Sequence, residues 1–361
     1  MKPTQELHDA GQSLWLDNIT RDLLTTGKLK GYIDQLAVTG LTSNPTIFDQ
    51  AIERSQAYDA DIARAAAGGA AVEEVFFTLA IDDLRAAADL FRPVHDQTAA
   101  VDGWVSLEVS PLLADDAEAT VEMATALHRR AGRPNLYIKI PGTPAGLTAI
   151  EECIFAGVPI NVTLLFSAAQ YAAAASAYMA GLERRVAQGL SPDVSSVASL
   201  FVSRWDKAVA GKVPESLRDR VGIAAATQAY RSYRELLDSA RWQRLENVGA
   251  RPQRLLFAST STKDPAAPDT LYVLALVAPL TVNTMPEETL LAFADHGRVG
   301  ELLAPAGGDG DTVMAALAAA GMDPEELALR LQREGAASFD TSWRHLMASL
   351  GSRAGQLAAG S

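Results

Sequence analysis

Short apolar runs alternate along this chain with longer Ala-, Glu- and Arg-rich segments of helical period. The runs predict strands at 12–17, 37–43, 104–109, 135–140, 159–165, 197–203, 254–260 and 277–283. The intervening segments read as helices. Asp115 and Asp116 stand before Ala117–Arg130, where Val121, Ala124 and Leu127 form an apolar stripe. Acids at that end suit the helix dipole. Ser167–Gly181 and Pro214–Asn247 show similar spacing, and the connections 46–103 and 204–253 are each long enough for two or more helices.

The last part of the chain is less patterned. Thr312–Gly321, Pro324–Glu334 and Phe339–Leu350 predict three helices, the last placed where it could cover the mouth of a barrel. Phe339 and Arg344 on that last helix could approach a substrate, but neither is assigned a role. Gly307-Gly308-Asp309-Gly310-Asp311 superficially resembles a phosphate loop, but it follows no strand and reads as a turn. The expected organisation is a catalytic domain over 1–297 with a helical extension over 298–361 packed on it.

Eight strands alternating with helices admit an open doubly wound sheet or a closed (β/α)8 TIM barrel. A dinucleotide sheet would want GxGxxG after its first strand, and a nucleotide triphosphatase would want GxxxxGK[ST]. The chain contains neither, and its strands carry polar residues near their C-terminal ends, the active face of a barrel. The expected fold is therefore a single TIM barrel with extra helices.

Alternation along the strands sharpens this expectation, because same-parity positions share a face. Asp17 lies with Ser13 and Trp15, opposite Leu14 and Leu16. Glu108 lies with Ser106 and Ser110, Lys139 with Tyr137, and Asn161 with Thr163. One face is thus aliphatic, while the other bears charges and amides that have no water to face inside a barrel. An unpaired buried polar group costs roughly 1–3 kcal/mol, and an unpaired charge more. Charged groups late in three different strands point to a site.

Each of these residues also has a structural reading. Lys139 could be half of an ion pair with Glu108 or Asp17, Asp17 could cap a helix beginning near Asn18, and Asn161 and Thr163 could satisfy neighbouring backbone.

Composition narrows the partners. The 361 residues carry a net charge of −13, which disfavours nucleic acid but leaves room for an anionic metabolite held by a few pocket cations. A single cysteine, Cys153, excludes an intrachain disulfide and a CxxC metal or redox motif. No cofactor or metal is expected. The longest apolar stretch, Leu271–Val282, is broken by Pro279 and too short for a membrane span, which takes about 20 residues. The N-terminus lacks the apolar run of a secretory signal, so the expected compartment is the cytoplasm.

A barrel lysine without metal cluster or nucleotide loop suggests amine catalysis on a carbonyl. An exposed lysine, with a pKa of about 10.4, is almost wholly ammonium at neutral pH and cannot attack; enclosure disfavours the charged form. Imine formation and carbon–carbon cleavage both move protons, and the carboxyls of Asp17 and Glu108 could divide that work. The five histidines lie outside the predicted strands.

Several motifs carry a specific resemblance. Leu14-Trp15-Leu16-Asp17, Thr42-Ser43-Asn44-Pro45-Thr46, Ser106-Leu107-Glu108-Val109, Tyr137-Ile138-Lys139-Ile140-Pro141-Gly142-Thr143, Ile160 to Ser167 and Ser199-Leu200-Phe201-Val202-Ser203-Arg204 together resemble the transaldolase family, over residues 12 to about 297. The segment from Tyr272 to Pro286 looks like the bacterial branch that also occurs fused to glucose-6-phosphate isomerase.

The resemblance implies transfer of a dihydroxyacetone unit from sedoheptulose 7-phosphate or fructose 6-phosphate to an aldose phosphate, in the non-oxidative pentose phosphate pathway, by a monomer or homodimer. It makes Lys139 the Schiff-base lysine and Asp17 the acid/base of cleavage, with Glu108 and Thr163 holding a catalytic water. Asn44 and Asn161 match amides that bind substrate hydroxyls, and Ser199 and Arg204 match the phosphate site. Phe201 stands where related small aldolases tend to carry a tyrosine, and an apolar ring there favours transfer over release.

One departure matters. Many members place a second Arg after the seventh strand, whereas Lys263 is the nearest cation here, with Ser261 beside it. Lysine binds phosphate as a point charge without the planar fork. A solvated Lys263 paired with Asp264 is the alternative. A fructose-6-phosphate aldolase-like lyase and a non-catalytic sugar-phosphate-binding barrel remain the rival functions.

Overall fold

The computed structural model describes residues 2–359. Eight parallel strands close into a barrel in sequence order. They are β1 (Gln12–Asp17), β2 (Val38–Thr42), β3 (Trp104–Glu108), β4 (Leu136–Pro141), β5 (Ile160–Leu165), β6 (Ser196–Phe201), β7 (Arg254–Ala258) and β8 (Thr281–Met285). The TIM barrel expected from the pattern is the observed fold.

The helices that follow the central strands have chemical starts and stops. Asp116 accepts from Ala119 N–H at the head of helix Ala117–Ala131, and Gly132 ends it at φ 59°. Thr143 caps Pro144–Ala156 in the same way, and Ser167 with Gln170 forms a capping box on Ala168–Ala187. These caps fix where β4 and β5 turn outward, and so the height of the side chains that precede the turns.

Parity predicted the two faces correctly. Leu14, Leu16, Ile138 and Ile140 belong to the apolar layer between strands and helices. Trp15, Trp104, Tyr137, Val197, Leu256 and Val282 pack together inside the barrel. Trp104 stacks on Tyr137 with ring centroids 4.1 Å apart. Gly40 lies between Trp15 and Trp104 in register, and a Cβ there would sit 2.6 Å from the Trp15 indole. The N-terminal end of the barrel is closed by Asp102, which accepts from Ser13 Oγ (2.5 Å) and Trp15 Nε1 (3.0 Å) and lies 3.4 Å from Arg254 Nη1. Above this aromatic floor begins a polar layer.

Among the boundaries that differ from the sequence-based expectation, three bear on the site. The eighth strand begins at Thr281 rather than 277, because helix Leu271–Ala275 and a turn at Pro279 and Leu280 (φ 64°) use the apolar stretch before it. β6 ends at Phe201, so that Ser203 and Arg204 open helix Ser203–Val209. The two helices expected at Pro324–Glu334 and Phe339–Leu350 are one continuous helix, Pro324–Ala359. Gly335 in its interior costs about 1 kcal/mol of helix propensity. Burial of Leu331, Phe339, Trp343, Leu346 and Leu350 on one side offsets that. Trp343 meets Phe76 edge-on at 5.0 Å, and Arg353 binds Asp59 (2.5 Å) and the Ser55 carbonyl (2.8 Å). The long helix thus crosses the C-terminal end of the barrel, against helices Pro45–Arg54, Asp59–Ala67 and Val72–Gln97 and strand β5. Gly307 and Gly308 occupy a turn with positive φ, as expected. Among the described residues no helix is long and apolar enough to cross a membrane.

Candidate active site

Strand register assembles the polar layer. Asp17 pairs with Thr42, Glu108 with Lys139, Lys139 with Asn161, and Pro141 with Thr163 across adjacent strands. Glu108, Lys139, Asn161 and Thr163 are all buried.

The Lys139 amine donates to the Ser43 carbonyl at 3.1 Å and lies 3.4 Å from Glu108 Oε2, with both side chains only 6% exposed. That is ion-pair range but longer than a charge-assisted N–H···O bond of about 2.7–2.9 Å. Accordingly Glu108 Oε2 has no hydrogen-bond partner among the described residues, and neither does Thr163 Oγ1. Burial pushes the Glu108 carboxyl above the usual carboxylate range, Lys139 opposes that shift, and Asp17 adds to it. The Lys139–Glu108 pair anticipated as a structural reading therefore exists, but it is incompletely bonded.

Asp17 is raised by burial too, against the pull of Lys139 and a hydrogen bond from Thr42. Thr42 Oγ1 donates to Asp17 Oδ1 at 2.7 Å and also meets Thr284 Oγ1 at 2.7 Å. A hydroxyl has one proton, so Thr284 donates to Thr42 and a relay of two threonines orients the carboxyl. Asp17 caps no helix here. Thr20 does that, accepting from Leu23 N–H at 3.0 Å.

The two amides differ in their surroundings. Asn44 is the N-cap of helix Pro45–Arg54, its Oδ1 accepting from Ile47 N–H at 3.1 Å, which leaves its NH2 to donate elsewhere. Asn161 donates to Ser106 Oγ (3.1 Å) and accepts from Ser199 Oγ (2.7 Å). Ser199, matched from sequence to the phosphate site, therefore spends its proton on holding Asn161.

Two cations stand at the rim. Arg204 follows β6 and makes no salt bridge among the described residues; its guanidinium lies 5.0 Å from the Phe201 ring centre and 5.8 Å from that of Phe339. Lys263 donates to Ser261 Oγ at 2.6 Å. Its pKa is lowered by burial and then by Lys207 and Arg204. The alternative pairing with Asp264 is not realised, because Asp264 accepts from Arg218 Nε (2.7 Å) and Ala266 N–H (2.8 Å).

Asp17, Asn44, Lys139, Thr163, Ser199, Phe201, Arg204, Ser261 and Lys263 line one cavity of about 150 Å³. It shares Asp17, Asn44, Arg204 and Lys263 with a wider vestibule of about 770 Å³. Glu108 and Asn161 lie one layer behind, touching Lys139 and Ser199. Sequence reasoning missed Thr42, Thr284 and Phe339, which also line the cavity. Thr42 was accessible by parity with Asp17 across the β1–β2 pair, whereas Thr284 lay beyond the predicted end of its strand. No histidine lines the cavity, and no cluster of metal-ligating side chains occurs among the described residues.

The family model described as transaldolase/fructose-6-phosphate aldolase matches residues 14–350. The chain belongs to that family. It is 45% identical to the transaldolase of Parafrankia sp. (strain EAN1pec) over 99% of both chains. It is 45% identical to that of Frankia alni over 98% of both, and 46% identical to that of Acidothermus cellulolyticus over 96% of both. For a member of the transaldolase/fructose-6-phosphate aldolase family, the chemistry to be explained is carbon–carbon bond cleavage next to a ketone. The cavity holds one buried amine, Lys139, 3.4 Å from Glu108 and in the same lining as Asp17.

Proposed function

We propose that the chain is a transaldolase, transferring a dihydroxyacetone unit from sedoheptulose 7-phosphate or fructose 6-phosphate to glyceraldehyde 3-phosphate or erythrose 4-phosphate. The single observation that carries this reading is the buried Lys139 amine, 3.4 Å from Glu108, in one cavity with Asp17 and two cations that lack a carboxylate partner among the described residues.

Attack on a ketone needs the free amine, and the neighbouring Glu108 carboxyl, whose proton affinity burial raises, is the group that holds the proton. The amine attacks the C2 ketone of the donor, and Glu108 returns the proton as the carbinolamine loses water. Thr163 Oγ1, buried and without a hydrogen-bond partner among the described residues, holds that water with Glu108. Asp17 then takes the proton of the C4 hydroxyl as the C3–C4 bond breaks, and its electron pair forms the enamine of the three-carbon unit. The raised proton affinity of Asp17 suits a group that must accept a proton and give it back. The aldose phosphate leaves, an acceptor aldehyde enters, and the steps reverse. Asn44 and Asn161 bind hydroxyls of the three-carbon unit, with Ser199 holding Asn161 in place. Arg204 and Lys263, with Ser261, take the phosphate. Such substrates are metabolites of the cytoplasm, where we place the reaction.

The test is cleavage of fructose 6-phosphate with and without erythrose 4-phosphate. Wild type should form sedoheptulose 7-phosphate and glyceraldehyde 3-phosphate only with the acceptor present. Free dihydroxyacetone released at a comparable rate without acceptor would favour the lyase reading. Asp17→Ala should retain imine formation but slow cleavage by about 10²–10⁴-fold.

A further inference from the structure

Arg204 poses a physical problem. A guanidinium that is to receive an anion must keep its N–H donors free of carboxylates, yet a long side chain with no partner carries about 2 kcal/mol of rotamer entropy. Aromatic faces solve this, because they attract a cation without occupying its donors. One ring is local: Phe201 ends β6, three residues before Arg204. The other, Phe339, comes from the C-terminal helix, far away in sequence.

That helix approaches the site with Gln332, Gly335 and Phe339, spaced three and four apart and so on one face. Buried Gln332 donates from Nε2 to the carbonyls of Gly142 and Leu164, both at 3.0 Å, and so ties the helix to the turn after the Lys139 strand and to β5 beside Thr163. Leu164 sits in the left-handed region at φ 59°, a backbone state that needs such support in a branched residue. Gly335 lets the helix backbone come close: a Cβ there would lie 2.9 Å from Leu164 Cδ2 and 3.1 Å from Arg204 Nη1. At its far end the helix is anchored independently by Trp343 on Phe76 and Arg353 on Asp59. Its placement over Arg204 therefore does not depend on Arg204.

We propose that this helix face is a positioning element of the active site, in which Phe339 and Gly335 hold the Arg204 guanidinium toward the cavity and thereby set the affinity for phosphorylated sugars. The inference rests on the reading of Arg204 as a phosphate-binding residue, and its consequence is separable from the chemistry at Lys139.

The experiment measures KM and kcat for fructose 6-phosphate with erythrose 4-phosphate, and the inhibition constant of inorganic phosphate, in wild type, Arg204→Gln, Phe339→Leu, Phe339→Tyr and Gly335→Ala. Leu329→Ala, on the exposed side of the same helix, is the control. Phe339→Leu should raise KM and the phosphate inhibition constant together, about five- to tenfold, with kcat altered far less. Phe339→Tyr keeps the ring and should stay within about twofold of wild type. Gly335→Ala should weaken phosphate in the same sense by crowding Nη1, an effect independent of the ring. If Arg204→Gln abolishes phosphate inhibition while Phe339→Leu and Gly335→Ala leave it intact, the positioning role is wrong and the phosphate reading of Arg204 stands. If Arg204→Gln itself leaves KM and inhibition unchanged, the phosphate reading fails and the proposal with it. A fall in kcat at constant KM in both helix variants would also overturn the proposal.

Discussion

Asp206→Asn should change the pH dependence of stability in a calculable way. Asp206 lies two residues beyond Arg204, buried, and caps the N-terminal start of helix Val221–Leu237. Its Oδ1 accepts from Val221 N–H (2.9 Å), and its Oδ2 accepts from Gly222 N–H (3.1 Å) and Tyr272 Oη–H (2.8 Å). Burial nevertheless outweighs these bonds and pushes the carboxyl from 3.8 up to about 6. The folded chain thus binds this proton more tightly than the unfolded chain does. Stability from this group is fully present below the unfolded pKa and is lost as pH rises through the folded one. A shift of about two units at 1.36 kcal/mol per unit gives ~3 kcal/mol lost between about pH 4 and pH 6, with a plateau above. Asparagine has no such titration. Urea unfolding of both proteins at intervals from pH 3.5 to 7.5 isolates the effect, because all other groups cancel in the difference. The difference curve should move by ~3 kcal/mol in favour of the variant as pH rises. In Tyr272→Phe, which removes a bond that lowers the pKa, the descent should extend to higher pH. A difference between wild type and Asp206→Asn that stays flat within about 0.5 kcal/mol across this range would mean that Asp206 does not titrate with a raised pKa in the folded chain.

Two further outcomes concern the barrel and its cysteine. Gly40→Ala should destabilise by about 1–3 kcal/mol, read as a lower urea midpoint at constant m-value. The new Cβ would meet the Trp15 indole at 2.6 Å, and that ring is fully buried and tied to Asp102. Cys153 is buried and its thiol is pushed up to about 12, so the native protein should resist a disulfide-exchange reagent at pH 8 and react with one equivalent only after unfolding.

Much of the site was legible in the sequence because strand periodicity is two and a barrel interior tolerates few charges. Asp17, Glu108, Lys139, Asn161 and Thr163 could each be assigned to the inner face by parity alone, and register brought them together. Two kinds of information were not local. The limits of β8 depended on how Leu271–Val282 divides between helix, turn and strand, a choice made by packing rather than by hydrophobicity, and a strand ended at 283 left Thr284 out. Gly335 falls in the gap left between two expected helices, but it lies within one helix, where a Cβ would crowd Arg204 and Leu164. No short-range pattern says where a helix of the tail docks, so Phe339 received no role although it lines the cavity. The competition for Asp264 was invisible for the same reason: Arg218, 46 residues away, takes the carboxylate that sequence adjacency offers to Lys263.

The central claim, that the Lys139 amine forms the imine, is tested most directly by reduction with borohydride in the presence of fructose 6-phosphate, followed by peptide mass mapping. A single reduced adduct of the three-carbon unit is expected on the peptide containing Lys139 and absent from Lys139→Met. An adduct on another lysine, or equal labelling of the Lys139→Met variant, would contradict it.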